Sequence, residues 1–175
     1  MKLRRIQVKM PERSVRLLDV SRLSERVSVQ RGPSNRRHSK EKAYIHYRKS
    51  RNTSGCAFCQ FEINQAEDIV LATSHFLVVK NLFQYDIWDG CPVQEHLLVS
   101  PRRHVVSLAD FTPDEKLEYV NLISKYESKG YSLYARSDLD NTKSVPHQHT
   151  HLIRLEPKRL RAMVYLHAPH VLLYR

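Results

Sequence analysis

Three histidines stand at alternate positions in the stretch SVPHQHTHLI, residues 144–153: His147, His149 and His151. In a β-strand, side chains at i, i+2 and i+4 share a face. The spacing therefore predicts a row of three imidazoles on one side, with Gln148, Thr150 and Leu152 on the other. Imidazole is the side chain whose ordinary pKa lies nearest neutrality, and it serves as nucleophile, proton shuttle and metal ligand. The blander reading is the solvated polar face of a strand. With 10 histidines in 175 residues some clustering arises by chance, but alternation inside a strand-like segment favours chemistry.

The second group is CAFC, Cys56 and Cys59, with Cys91 standing apart. Three cysteines cannot all pair. In a chain with no apolar secretory run near its N-terminus, Cys-x-x-Cys favours metal or redox use over a structural disulfide. A redox pair of that kind belongs at a helix start in a parallel βαβ unit, whereas the elements below read as antiparallel. Structural zinc needs four ligands in a tetrahedron, commonly thiolates with imidazoles. By residue type the other two come best from His104, in SPRRHVV, and from one member of the histidine row. His167 and His170 are rivals, disfavoured by their place in a terminal hairpin; His38, His46, His75 and His96 receive no role.

These groups need a scaffold. DIVLATSHFLVVKN predicts an antiparallel pair, Ile69–Ala72 and Phe76–Lys80. Residues 81–94 read as an aromatic-rich loop turning at Asp89-Gly90, residues 95–101 as a third strand ended by Pro101. The clearest helix follows: Thr112 as N-cap, Pro113 in the first helical position, Glu115 completing a capping box and Gly130 ending it. Leu117, Val120, Leu122, Ile123 and Tyr126 are expected to form its apolar face. Residues 131–136 give a fourth strand and the histidine segment a fifth. The last fifteen residues form two short strands about Ala168-Pro169. The pattern is α+β, an antiparallel sheet with one long helix on it.

Charge divides the chain differently. The formal net charge is +11, yet residues 1–52 hold 16 Lys/Arg against 4 Asp/Glu and the remainder 13 against 14. Residues 1–52 are accordingly read as a basic N-terminal extension, with an amphipathic helix near Val15–Val27 and a linker over residues 30–42, and residues 53–175 as the domain. The extension suits phosphate groups of nucleic acid or polyphosphate, or is a solvated tail. Its removal through residue 42 is expected to leave folding and small-nucleotide hydrolysis largely intact. No apolar stretch is long enough to span a bilayer, so no membrane partner and a cytoplasmic location are expected.

In combination, NLFQY, EHLLVSPRRHV, the capped helix and SVPHQHTHLI resemble the histidine triad superfamily over about residues 53–156. They are most similar to its zinc-bearing branch, which includes galactose-1-phosphate uridylyltransferase and dinucleoside polyphosphate phosphorylases; the third histidine is instead as in the hydrolase branches. The resemblance implies a five-stranded antiparallel sheet with helices on one face. It implies a structural zinc held by Cys56, Cys59, His104 and His147. It gives His149 as the nucleophile, His151 as the group that hydrogen-bonds the phosphate or leaving oxygen, Ser144 as a phosphate contact and Asn81 as a ribose contact. Lys143, beside Ser144, would make the site more cationic.

The chain departs from the family pattern in three places. Gln148 and Thr150 replace apolar residues and suggest a partly exposed opposite face, SDLDNTK lacks the usual glycines, and Arg136 stands where many members have Asn. The expected function is a nucleotide hydrolase or nucleotidyltransferase acting on a phosphoanhydride, such as a dinucleoside polyphosphate, through a nucleotidyl-histidine. Alternatives are deadenylation of nucleic acid ends, with residues 1–52 holding the strand, and a non-catalytic zinc-stabilised nucleotide-binding module. A homodimer is compatible with all three readings.

Overall fold

A computed structural model describes residues 35–50, 55–61, 66–140, 142–161, 163–167 and 170–174, the last two stretches as backbone. The expected helix near Val15–Val27 lies outside the described residues. Eight strands are described: β1 (Ile69–Ala72), β2 (Phe76–Lys80), β3 (Ile87–Trp88), β4 (Cys91–Pro101), β5 (Tyr131–Ala135), β6 (Thr150–Leu155), β7 (Met163–His167) and β8 (His170–Tyr174). Among the described residues two helices of more than one turn join them, α1 (His38–Ser50) and α2 (Pro113–Glu127).

The main sheet is antiparallel in the order β1-β2-β4-β6-β5, with β3 added to one end of β4. This is the expected five-stranded α+β sheet with one long helix. The expected terminal strand pair is present as β7-β8, a separate two-stranded sheet.

The two faces of the sheet carry different cargo. Phe76, Val78, Leu97, Val99 and Leu152 point one way and bury against Phe111, Leu122 and Tyr126. Leu77, Val79 and Leu98 point the other way and pack with Phe61, Phe58 and Ile69. Helix α2 starts as the sequence predicts: Thr112 accepts from the Glu115 N–H, the Glu115 carboxylate accepts from the Thr112 N–H, and Pro113 opens the helix. Gly130, at φ +84, ends the turn after it in a conformation glycine adopts without strain.

The helix is rotated from the expected face. Leu117 and Val120 are exposed, while Glu115, Leu122 and Tyr126 are buried and Tyr119 packs beside them. Positions 115, 119, 122 and 126 make the i, i+4, i+7, i+11 stripe that meets the sheet. Tyr119 belongs to it because its hydroxyl finds the Thr150 hydroxyl at 2.7 Å.

Three strand bounds also change. Asp89 (φ 48) and Gly90 (φ 72) form a two-residue turn with both central residues left-handed. That geometry matches strand twist, so the expected loop becomes the β3–β4 hairpin, with Trp88 opposite Cys91. Strand β4 therefore starts at Cys91, not at residue 95. The fifth strand of the sheet begins only at Thr150, so His147 and His149 lie before it. Pro146 has no N–H to give a ladder, and the Gln148 N–H goes instead to Val105 O at 2.6 Å. Finally, helix α1 begins inside the segment read as linker. No helix among the described residues is long and apolar enough to cross a membrane.

Candidate functional site

The three histidines are buried together, and each has one ring nitrogen committed by the backbone or by another ring. His147 Nε2 lies 2.9 Å from the Pro101 carbonyl oxygen. A carbonyl only accepts, so the proton is on Nε2 and the lone pair is on Nδ1. His149 Nδ1 lies 2.8 Å from the His147 carbonyl oxygen. There the proton is on Nδ1, and Nε2 carries the lone pair. His151 is fixed through a fourth histidine. The Tyr85 N–H donates to His96 Nδ1 at 3.1 Å, which leaves His96 Nε2 protonated and aimed at His151 Nδ1, 2.8 Å away. His151 Nδ1 therefore accepts, and its Nε2–H is the free donor.

Burial keeps these rings neutral. It pulls the pKa of His96 down to about 3, with the Arg36 charge adding to the effect. It lowers His149, helped by Lys143 and Arg136. His151 lies well below its ordinary value, for burial first and the neighbouring histidines next.

The imidazoles sit among aromatic rings. Phe58 stacks on His149 at 5.0 Å, and the His149 and His151 ring centroids are 5.2 Å apart. Tyr85 stacks on His151 at 5.6 Å, Tyr134 lies 5.7 Å from it, and Trp88 bridges Tyr85 and Tyr134. Gln148 and Thr150, expected to be partly exposed, are both buried. Each found a polar partner: Gln148 Oε1 accepts from Lys143 Nζ at 2.9 Å, and Thr150 meets Tyr119.

The remaining expected binding residues are placed as follows. Lys143 donates to the Val106 carbonyl at 2.7 Å besides Gln148, so it pins the 143–148 loop to the 106 region. Asn81 Oδ1 accepts from the Phe83 N–H, and its amide nitrogen rests against the His96 ring, 3.1 Å from Nε2. Ser144 is half-buried at the start of the loop leading to His147. Arg136 reaches Asp140 and Thr142 and lies over the Tyr134 ring.

The thiols complete a second centre. Ligand atoms of Cys56, Cys59, His104 and His147 all lie within 4.8 Å of one another. His147 Nδ1, the atom with the lone pair, is 3.3 Å from Cys56 Sγ and 3.6 Å from Cys59 Sγ, and His104 Nδ1 is 3.2 Å from Cys59 Sγ. Zinc bonds of ~2.0–2.3 Å in a tetrahedron put ligand atoms roughly 3.3–3.8 Å apart, so two thiolates and two imidazoles at these separations fit that metal. The Pro101 carbonyl on the far side of His147 fixes the ring for ligation. Helix α2 positions the other imidazole. Glu115 takes a bidentate grip on Arg103, at 3.0 and 2.7 Å, immediately before His104. That contact holds the Glu115 carboxyl down at about 2.

Sequence reasoning passed over His96, the aromatic rings around His151, and Arg36, whose guanidinium lies 4.8 Å from the Tyr85 ring centroid. His96 shares a face with His151 because β4 and β6 pair, Leu98 opposite His151 and Ile153 opposite His96. Alternation in EHLLVS shows which residues side with His96, but only the pairing of two strands with β5 between them in sequence shows what they meet.

No protein-family model matches the chain, and no curated protein matches it. Similar solved structures include a HIT family hydrolase from Legionella pneumophila, 22% identical, covering 60% of this chain and 95% of that one at a TM-score of 0.40. Another is a HIT family hydrolase from Clostridium thermocellum, 16% identical, covering 61% and 95% at 0.45. A zinc-bound histidine triad family protein from Mycobacterium smegmatis is 18% identical, covering 59% and 76% at 0.41. In fold, the chain is similar to these solved structures of the histidine triad family.

Proposed function

We propose that the chain is a nucleotide hydrolase or nucleotidyltransferase, acting on a phosphoanhydride such as a dinucleoside polyphosphate through a nucleotidyl-histidine intermediate. The observation that carries this reading is the committed tautomer of His149: Nδ1–H held by the His147 carbonyl, Nε2 bare. A phosphoanhydride repels an attacking anion, whereas a neutral imidazole nitrogen meets no such barrier. The Nε2 lone pair forms a bond to the α-phosphorus while the bond from phosphorus to the leaving oxygen breaks. The positive charge then on the ring is stabilised through Nδ1–H by the same carbonyl. His151 offers Nε2–H to the phosphate or the leaving oxygen. Water or another acceptor attacks phosphorus in the second step, the P–N bond returns its electrons to Nε2, and the acceptor's proton is released.

Asn81 and Ser144 would contact ribose and phosphate, with Lys143 supplying positive charge beside them. Zinc bound by Cys56, Cys59, His104 and His147 would fix the loop before β6, so that His149 and His151 keep their spacing. Alanine at His147 would then act through loss of the metal, and alanine at His149 through loss of the nucleophile.

A second reading, deadenylation of nucleic acid ends, is favoured by one feature. Lys42, Arg48 and Lys49 of α1 are exposed cations, in the basic part of a chain whose remainder is near neutral. Release of mononucleotide is to be measured with dinucleoside polyphosphates, mononucleotides and adenylated oligonucleotides as substrates. Turnover of the first two with weak salt dependence supports the main reading, and a steep salt dependence confined to oligonucleotides supports the second. Binding of nucleotide without turnover of any substrate contradicts both.

A further inference from the structure

We propose that residues 35–47, which precede the histidine-triad-like region, form a clamp on the candidate active site in which Arg36 is a positioning residue for His151. The Asn35 carbonyl accepts from the consecutive N–H groups of Asp86 and Ile87, at 2.7 and 3.2 Å. Asp86 is then held from the other side by the Arg37 N–H (2.8 Å) and Lys40 Nζ (2.7 Å). Tyr44 and Tyr47, one turn apart on α1, both pack on Phe83, at 5.4 and 5.1 Å. Arg36 is the centre of the device. Its Nε donates to the Phe83 carbonyl at 2.7 Å, its Nη1 pairs with Glu41 at 3.2 Å, and its guanidinium lies between the rings of Tyr44 (4.4 Å) and Tyr85 (4.8 Å). Such a half-buried fork, bonded along its edge and flanked by aromatic rings, is a use to which arginine is suited and lysine is not.

The loop under the clamp, residues 81–88, is the one whose backbone sets the tautomer of His96. Tyr85 supplies the N–H that forces the His96 proton onto Nε2, and its ring packs on His96 at 4.6 Å and on His151 at 5.6 Å. The chain of influence is short and directional. Arg36 fixes the Phe83–Tyr85 backbone, Tyr85 fixes His96, and His96 leaves His151 with its proton on Nε2. When the loop slackens, His96 is free to take the other tautomer, and His151 loses the donor that faces the substrate. Residues 35–47 are therefore part of the functional unit, against the expectation that removal through residue 42 spares activity.

The clamp rests on the proposed function for its kinetic consequence but not for its structural one, and two readouts separate them. Nitrogen-15 NMR of the histidine rings reports tautomers without any substrate. In the full chain, His96 is expected as the single Nε2–H form; in Arg36→Ala it becomes a mixture, while zinc content and the folded fraction are unchanged. With substrate, kcat falls about 10-fold while KM stays within about twofold. Arg36→Lys keeps the charge opposite Glu41 and so guards against a variant that fails to fold. It should restore less than half of kcat, because its single ammonium cannot reach Phe83 and both rings together. Unchanged His96 ring shifts in both variants overturn the clamp, as does a fall in activity accounted for by lost folded protein. A wild-type enzyme without turnover, but with the tautomer change on substitution, leaves the clamp standing and removes the proposed reaction.

Discussion

Replacing His96 separates its two hydrogen bonds and so tests whether it acts on His151 or merely fills space. The side chain is fully buried; it accepts from the Tyr85 N–H and donates to His151 Nδ1, with the Asn81 amide nitrogen resting against its ring. In His96→Asn the amide oxygen falls near the place of Nδ1 and can still accept from Tyr85, but nothing reaches His151. In His96→Gln the amide nitrogen falls near the place of Nε2 and can still donate to His151, but the Tyr85 N–H is orphaned. Each variant leaves one buried polar group unmet, a cost of about 1–3 kcal/mol, so both should lose similar stability in urea. Their kinetics should differ. Without a donor at Nδ1, His151 can move its proton there and lose the Nε2–H. A hydrogen bond to a charged oxygen is worth about 1.5–3 kcal/mol, hence roughly 10–100-fold in kcat for the Asn variant. The Gln variant should stay within about tenfold of wild type. Nucleotide release at saturating substrate, normalised to folded protein, reads both. Equal kcat in the two variants, or a wild-type rate in His96→Asn, refutes the relay.

Cys56→Ala and His104→Ala should each release zinc, measured by elemental analysis, and sharply lower the thermal midpoint, since structural zinc contributes roughly 10–16 kcal/mol of apparent binding energy in small peptides. Acid should destabilise the fold early. The folded pKa of His96, about 3, lies below the ordinary 6.5. Its contribution is thus fully present above pH 6.5 and lost as pH falls toward 3, up to about 5 kcal/mol; urea midpoints across that range should fall less steeply in His96→Gln. Glu115 adds a separate limb below pH 4.5, because its carboxyl is held down at about 2 by Arg103 and must be protonated before the grip is lost; Arg103→Ala should remove that limb. Deletion of residues 1–34 should leave turnover unchanged, whereas deletion through residue 47 should lower kcat, since among the described residues Asn35 and those after it hold the 81–88 loop.

Local signals carried much of the fold. The capping box at Thr112, the left-handed Gly130 and the strands at residues 69–72 and 76–80 each rest on neighbours in sequence, and each stands where the sequence puts it. The grouping of Cys56, Cys59, His104 and His147 could be narrowed by residue type, because zinc chemistry limits the ligands to a few side chains. Where reading failed, distant partners decided. Period-2 alternation placed all three histidines in a strand, yet Val105 claimed the Gln148 N–H and the ladder starts later. Leu117 and Val120 are apolar and helical, but Tyr119 outcompetes them for the sheet because Thr150 offers its hydroxyl a partner. Arg36 looked like one more charge in a basic tail. Only the close approach of Phe83, Tyr44 and Tyr85 gives it a specific place.

The claim on which the rest depends is that His149 Nε2 attacks phosphorus. Intact-mass spectrometry after a rapid quench at neutral or alkaline pH, which spares an acid-labile P–N bond, tests it directly in the zinc-loaded chain mixed with substrate. The wild type should gain the mass of one nucleotidyl group, mapped by peptide fragmentation to His149. His149→Ala should gain none and lose nearly all turnover while keeping its zinc. A wild-type rate in His149→Ala, or an adduct carried by any other residue, contradicts the account.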